Sequence, residues 1–133
     1  MPPLFYAIQS GNRPAVRALL DEGADPNRRT RPGHTALMFA AGYGDAETVR
    51  MLLEHGANPR DAGGRASTAL ARAVGGSADV DHFTIARCQT DVVRALLDAD
   101  PGLRLPADWN GRFARSAARI GGCRQILALV KER

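Results

Sequence analysis

Three histidines, two cysteines and a dense set of arginines are the residues of this chain that could do chemistry. His34, His55 and His82 are spread over three separate stretches and do not read as a ligand set. Asp79, Asp81, His82 and Cys88 form the one local cluster of metal-capable groups. Zinc sites favour short, fixed Cys and His spacings, and here one Cys and one His stand six apart, so helix caps and a buried thiol are the better reading. Gly63-Gly64 and Gly75-Gly76 follow no buried strand and read as turn punctuation rather than a phosphate cradle. A nucleophilic Cys88 or Cys123 would need a neighbouring base and an oxyanion site, and the pattern supplies neither. No catalytic residue, cofactor or metal is expected, and the chain does not read as an enzyme. What remains is arginine, which makes up 17 of the 18 basic residues at a net charge of +4. Codon bias explains that excess equally well, but a planar fork of donors also suits carboxylate-rich partner surfaces.

The elements that must position these side chains are clearest from Gly33 to Asn58, GHTALMFAAGYGDAETVRMLLEHGAN. Thr35 is placed to cap a first helix with Leu37, Ala40 and Ala41 on a narrow apolar face, broken by Gly42 and Gly44. Asp45 is placed to cap a second, with Glu47 and Thr48 in its first turn and Val49, Leu52 and Leu53 on one face. Gly56 ends it, since glycine accepts the left-handed conformation of a helix stop. Neither short helix can bury its apolar face alone.

The neighbours are copies of the same unit. Thirty-three residues earlier, Leu37, Ala40, Gly44, Leu52, Leu53, Gly56 and Ala57 become Leu4, Ala7, Gly11, Leu19, Leu20, Gly23 and Ala24. Thirty-three later, Thr35, Ala36, Leu37 and Ala40 become Thr68, Ala69, Leu70 and Ala73; after an 11-residue jump, Val93, Leu96 and Leu97 answer Val49, Leu52 and Leu53. A looser fourth copy has Ala117, Ala118, Gly121, Ile126, Leu129 and Val130. A fixed period of this size marks a stacked solenoid.

These units resemble ankyrin repeats. The family's Gly-x-Thr-Pro-Leu-His start, Ala-Ala pair, Gly turn, Val-x-x-Leu-Leu and Gly-Ala-Asp-x-Asn appear as Gly33 to Met38, Ala40-Ala41, Gly44, Val49 to Leu53 and Gly56-Ala57-Asn58, with Gly23-Ala24-Asp25-Pro26-Asn27 in the first unit. Ala36 and Met38 replace the family's Pro and His, so its Thr–His hydrogen bond is absent from the second unit. The resemblance implies an all-α, ankyrin-repeat solenoid of four helix-turn-helix units, with short β-turn fingers and an insertion in the third unit. The expected boundaries are 1–30, 31–63, 64–107 and 108–133, the last a C-terminal cap.

At 133 residues a single domain with its own core is expected, with nothing appended to it. No apolar run approaches the ~20 residues of a membrane span, and no signal peptide is evident. Two cysteines in separate units argue against a disulfide framework, and a bacterial cytoplasm is the expected setting. The insertion, 78–88, reads either as an extension of the second helix of the third unit or as a separate short helix. Arg28 to Gly33, Arg60 to Arg65 and Gly102 to Gly111 read as solvated fingers, and the last unit is expected to fray first.

By resemblance, such a stack binds a partner protein on a concave face made of fingers and first helices. The implied slots in the second unit are Arg29, Arg31, Pro32 and His34 on the finger and Met38, Gly42 and Tyr43 on the helix. Arg65, Ser67, Ala71 and Arg72 follow, and then Trp109, Gly111 and Arg112. Of these, Arg29, Arg31, His34, Tyr43, Arg65, Trp109 and Arg112 carry the expectation, as aromatic and arginine side chains dominate interface energetics. Met38 suits core filling better, and Trp109 also suits covering the fourth unit. The expected partner is another protein with an acidic surface, met by a monomer. An inhibitor or immunity-type role fits the compact chain as well as a scaffold does. Nucleic acid is less favoured, because +4 is modest and aromatics do not interleave with the basic residues.

Overall fold

The computed structural model describes residues 3–29, 33–43, 45–61, 68–75, 89–105, 112, 114–116, 119 and 123–130. Among them are helices α1 (Pro3–Gln9), α2 (Arg13–Asp21), α3 (Ala36–Tyr43), α4 (Ala46–Glu54), α5 (Ala69–Gly75), α6 (Thr90–Ala99) and α7 (Arg124–Val130). Each odd helix up to α5 packs on the even helix that follows it. The first helices α1, α3 and α5 lie side by side in one row, and α2, α4, α6 and α7 form a second row behind them. The sheet content of the described residues is one antiparallel bridge, Arg29 to Thr35, at the base of the first finger. This is the stacked all-α architecture that the 33-residue period demands. The insertion at 78–88 and the Gly44 break lie outside the described residues.

Local signals act where the residues place them. Asn12 accepts from the Ala15 amide to cap α2, whose first turn takes Pro14. Thr35 Oγ1 accepts from the Met38 amide at 3.3 Å and starts α3. Asp45 caps α4, accepting from the Thr48 amide at 3.2 Å and from the Thr48 hydroxyl at 2.7 Å, so the buried Thr48 is satisfied. Gly23 and Gly56, 33 residues apart, stop α2 and α4 with φ of 97° and 95°. A Cβ there would meet open space, so only the backbone conformation calls for glycine.

α3 shows what stacking requires. Ala36, Leu37, Met38, Ala40 and Ala41 are all buried, because α1, α4 and α5 surround the helix on three sides. Its small residues let neighbouring helices approach, and Met38 fills core as its type suggested. In the second row Leu52, Val93, Leu96 and Leu97 are buried as expected. Leu53 differs: in the last turn of α4, beside exposed Glu54, it is only half-buried.

Two further expectations are corrected. Leu103 and Leu105 are buried, so the start of the third finger packs on the stack rather than projecting into solvent. Cys123 is disulfide-bonded, and the chain's other cysteine, Cys88, lies outside the described residues. Distance between units in sequence misled here. Cys123 immediately precedes α7, and α7 packs on α6, a helix of the preceding unit.

Candidate protein-binding face

The loops come first, because their arginines were expected to face a partner. Arg29 donates to Asp61 Oδ1 at 2.5 Å and to the Gly33 carbonyl at 3.3 Å, tying the first finger to itself and to the next loop. Arg60 grips Asp100 with two bonds, Nε to Oδ2 at 2.5 Å and Nη2 to Oδ1 at 2.9 Å. This pairing, helped by the Gly102 amide, holds the Asp100 carboxyl below its ordinary range. Asn27 occupies the slot 33 residues before Arg60 and has the same task between units one and two. Its Nδ2 donates to the Gly56 carbonyl at 2.9 Å and its Oδ1 accepts from the Asn58 amide at 2.7 Å. A neutral amide suffices where Gly56 offers only backbone; arginine serves where Asp100 stands in that place.

The second-helix row is also internally matched. Arg13 bonds Asp45 and Glu47 of the next unit. Burial alone would raise the Asp45 carboxyl, but hydrogen bonds from Thr48 and Arg13 outweigh it and hold the group low. His55 bridges the Met51 carbonyl at 2.7 Å and Asp21 of the preceding unit at 3.0 Å. Those two acceptors raise its pKa. Exposed Arg17, Arg50 and Arg94 recur in one register on α2, α4 and α6, each four residues before an exposed acid, Asp21, Glu54 or Asp98. That spacing alternates the charges along the row, and Glu47 pairs across units with Arg13 rather than within its helix.

The first-helix row is different. Positions 6 and 9 of α1 and 10 just after it are exposed, and 39, 42 and 43 of α3 repeat that register 33 residues on. Tyr6 is 60% and Tyr43 53% exposed, and they are the exposed large hydrophobics among the described residues. Phe39 is half-buried, edge-on to Phe5 at 5.3 Å, 5.9 Å from the His34 ring and 6.3 Å from Tyr43. The next residue of the series is Arg72 on α5, half-buried and hydrogen-bonded through Nη2 to His34 Nδ1. Burial, then the Arg72 charge, lowers the His34 pKa, and the neutral ring accepts the bond. Burial likewise lowers Arg72. Tyr43 also walls an open cleft with Ile8, Gln9, Ser10 and Gly11.

His34 and Tyr43 of the expected site therefore belong to one continuous surface, whereas Arg29 is engaged at the loop edge. Arg112 is exposed, and Arg31, Arg65 and Trp109 lie outside the described residues. Met38 and Ala71, taken as helix slots by resemblance, are buried; the outward positions are the next ones, Phe39 and Arg72. Tyr6 and Phe39 were missed, although the series Tyr6, Phe39, Arg72 stands in the sequence at the repeat period.

Comparison with known proteins adds the family. The model for ankyrin repeats (3 copies) matches residues 4–104. The chain belongs to the ankyrin repeat family. An ankyrin repeat domain from Acinetobacter baumannii is 32% identical, with a TM-score of 0.76 over 97% of this chain; the match spans 62% of that domain. No curated protein matches the sequence. Ankyrin repeats are in general protein–protein interaction modules. Among the described residues no helix is long and apolar enough to cross a membrane.

Proposed function

We propose that this ankyrin repeat protein binds a partner protein, as a monomer, on the concave face formed by its fingers and the outer sides of α1, α3 and α5. One observation carries the reading: Phe39 and Tyr43 adjoin on the outer side of α3, and exposed Tyr6 holds the position of Phe39 one repeat earlier on α1. The second-helix row, by contrast, is covered by matched charges. Aromatic side chains give large apolar contact at low entropic cost, the usual make-up of an interface anchor. Arg28, Arg104 and Arg112 are exposed around the fingers, which favours an acidic partner patch and faster encounter with it. The function is recognition rather than catalysis, whether as a scaffold or as the inhibitor of a single target.

Affinity capture from source-cell lysate, followed by binding kinetics on the captured partner, tests this. Tyr43→Ala should speed dissociation and Arg28→Glu should slow association and flatten its salt dependence. Wild-type kinetics in both, with loss of binding in Arg50→Glu on the opposite row, would reject the face.

A further inference from the structure

Arg72 is set apart from the other well-placed arginines by what it lacks. Arg13, Arg29 and Arg60 each hold a carboxylate. Arg72 is more deeply set than these, yet among the described residues its hydrogen-bond partner is the neutral imidazole of His34. That bond uses one of five guanidinium donors and supplies no countercharge. A cation partly removed from water without an anion is unfavourable, and fold stability alone would be served better by an apolar residue there. Its place matters too. In the repeat register it follows Tyr6 and Phe39 on the first-helix row, so a donor fork with no carboxylate among the described residues stands at one end of that row.

We infer that Arg72 receives an aspartate or glutamate side chain of an extended segment of the partner protein, with a nearby apolar side chain of that segment lying against Tyr43. The inference rests on the protein-binding reading above and names the chemistry of its partner. A planar carboxylate matches the guanidinium fork with two parallel bonds, and partial burial strengthens them. Ring-to-ring steps of 5.9 and 6.3 Å lead from His34 through Phe39 to Tyr43. At ~3.3 Å per extended residue, the acidic and apolar side chains are separated by no more than about four residues. The cleft that Tyr43 shares with Gln9 and Ser10 has room for the apolar side chain. A nucleic acid strand suits the site less well, because the Phe39 ring is packed against Phe5 and, among the described residues, Tyr6 and Tyr43 are the aromatics well exposed for stacking.

The test is selection of random twelve-residue peptides on the whole chain, followed by affinity measurement of the best peptide. Enriched peptides should carry Asp or Glu within about four residues of an aromatic or aliphatic side chain. Arg72→Gln should weaken the peptide tenfold or more. Changing the peptide's acid to its amide should cause a similar loss on the wild-type chain and little further loss on Arg72→Gln. The peptide change reports on the contact even if Arg72→Gln folds poorly. Arg72→Lys, which keeps charge but not the fork, should recover only part of the affinity. Peptides sensitive to Tyr43→Ala but not to Arg72→Gln or loss of their acid would overturn this inference and leave the protein-binding face standing. Peptides indifferent to both residues, or no enrichment, would overturn both. Displacement of the peptide by a twelve-nucleotide oligothymidylate that itself requires Arg72 would assign the site to nucleic acid instead.

Discussion

The loop edge and the first-helix face of this stack use the same kinds of side chain to opposite ends. At the loop edge, arginine is cement: Arg29 and Arg60 span successive units and their charges end on Asp61 and Asp100. On the first-helix face, Arg72 meets a neutral histidine and no carboxylate among the described residues, and Tyr6 and Tyr43 keep more than half of their surface in water. An arginine-rich finger is therefore weaker evidence for a partner than it looks, since neighbouring loops can absorb the charge. An aromatic on the first helices has no such outlet, because the row behind already closes the core.

The largest expected effect concerns what the two regions share. Leu52 is fully buried where α4 meets its neighbours, and Leu52→Ala should cost roughly 2–5 kcal/mol by denaturant melt. An unchanged midpoint would mean that the repeat register, and so both regions, is misassigned. Next, Tyr43→Ala should weaken the captured partner by about thirtyfold, the threshold of an interface hot spot, while stability moves by no more than about 0.5 kcal/mol. A variant that melts early but binds normally would make Tyr43 cement as well. The loop edge should show the reverse. Asn27→Ala removes two bonds to the backbone of the next unit and should cost about 1–2 kcal/mol of stability without changing partner affinity.

The smallest effects divide by pH, and here the two histidines have opposite signs. His55, raised by its bonds to Met51 and Asp21, contributes stability that is full below the ordinary value of 6.5. That contribution is lost as pH rises through the raised folded value. His34 is lowered, so the unfolded chain binds its proton first, and its contribution is lost as pH falls below 6.5 toward the lowered folded value. Melting temperature against pH should lose its alkaline-side slope in His55→Gln and its acid-side slope in His34→Gln. The same slopes in both variants would break the distinction.

Much of this was legible in the residues. The period of 33, the caps Asn12, Thr35 and Asp45, and the stops Gly23 and Gly56 are local signals, and short helices obey them because each satisfies a specific backbone group. The contacts between units were harder to read. Asn27 and Arg60 share a slot, but whether an amide or a cation fits depends on Gly56 or Asp100 in the following unit, a dependence across the stack. The disulfide at Cys123 was missed for the same reason. Of the outward helix face, Gly42, Tyr43 and Arg72 were named, and Tyr6 and Phe39 were passed over. Complementing the buried positions of α3 at i, i+3 and i+4 yields 39, 42 and 43, whereas slots carried over by resemblance fell on buried Met38 and Ala71.

Hydrogen–deuterium exchange of the whole chain, with and without the captured partner, tests the central contrast most directly. Slowed exchange on binding should concentrate in α1 and α3, residues 3–9 and 36–43, and leave α2 and α4, residues 13–21 and 46–54, at their free rates. Protection confined to α2 and α4, with α1 and α3 unchanged, would contradict the account.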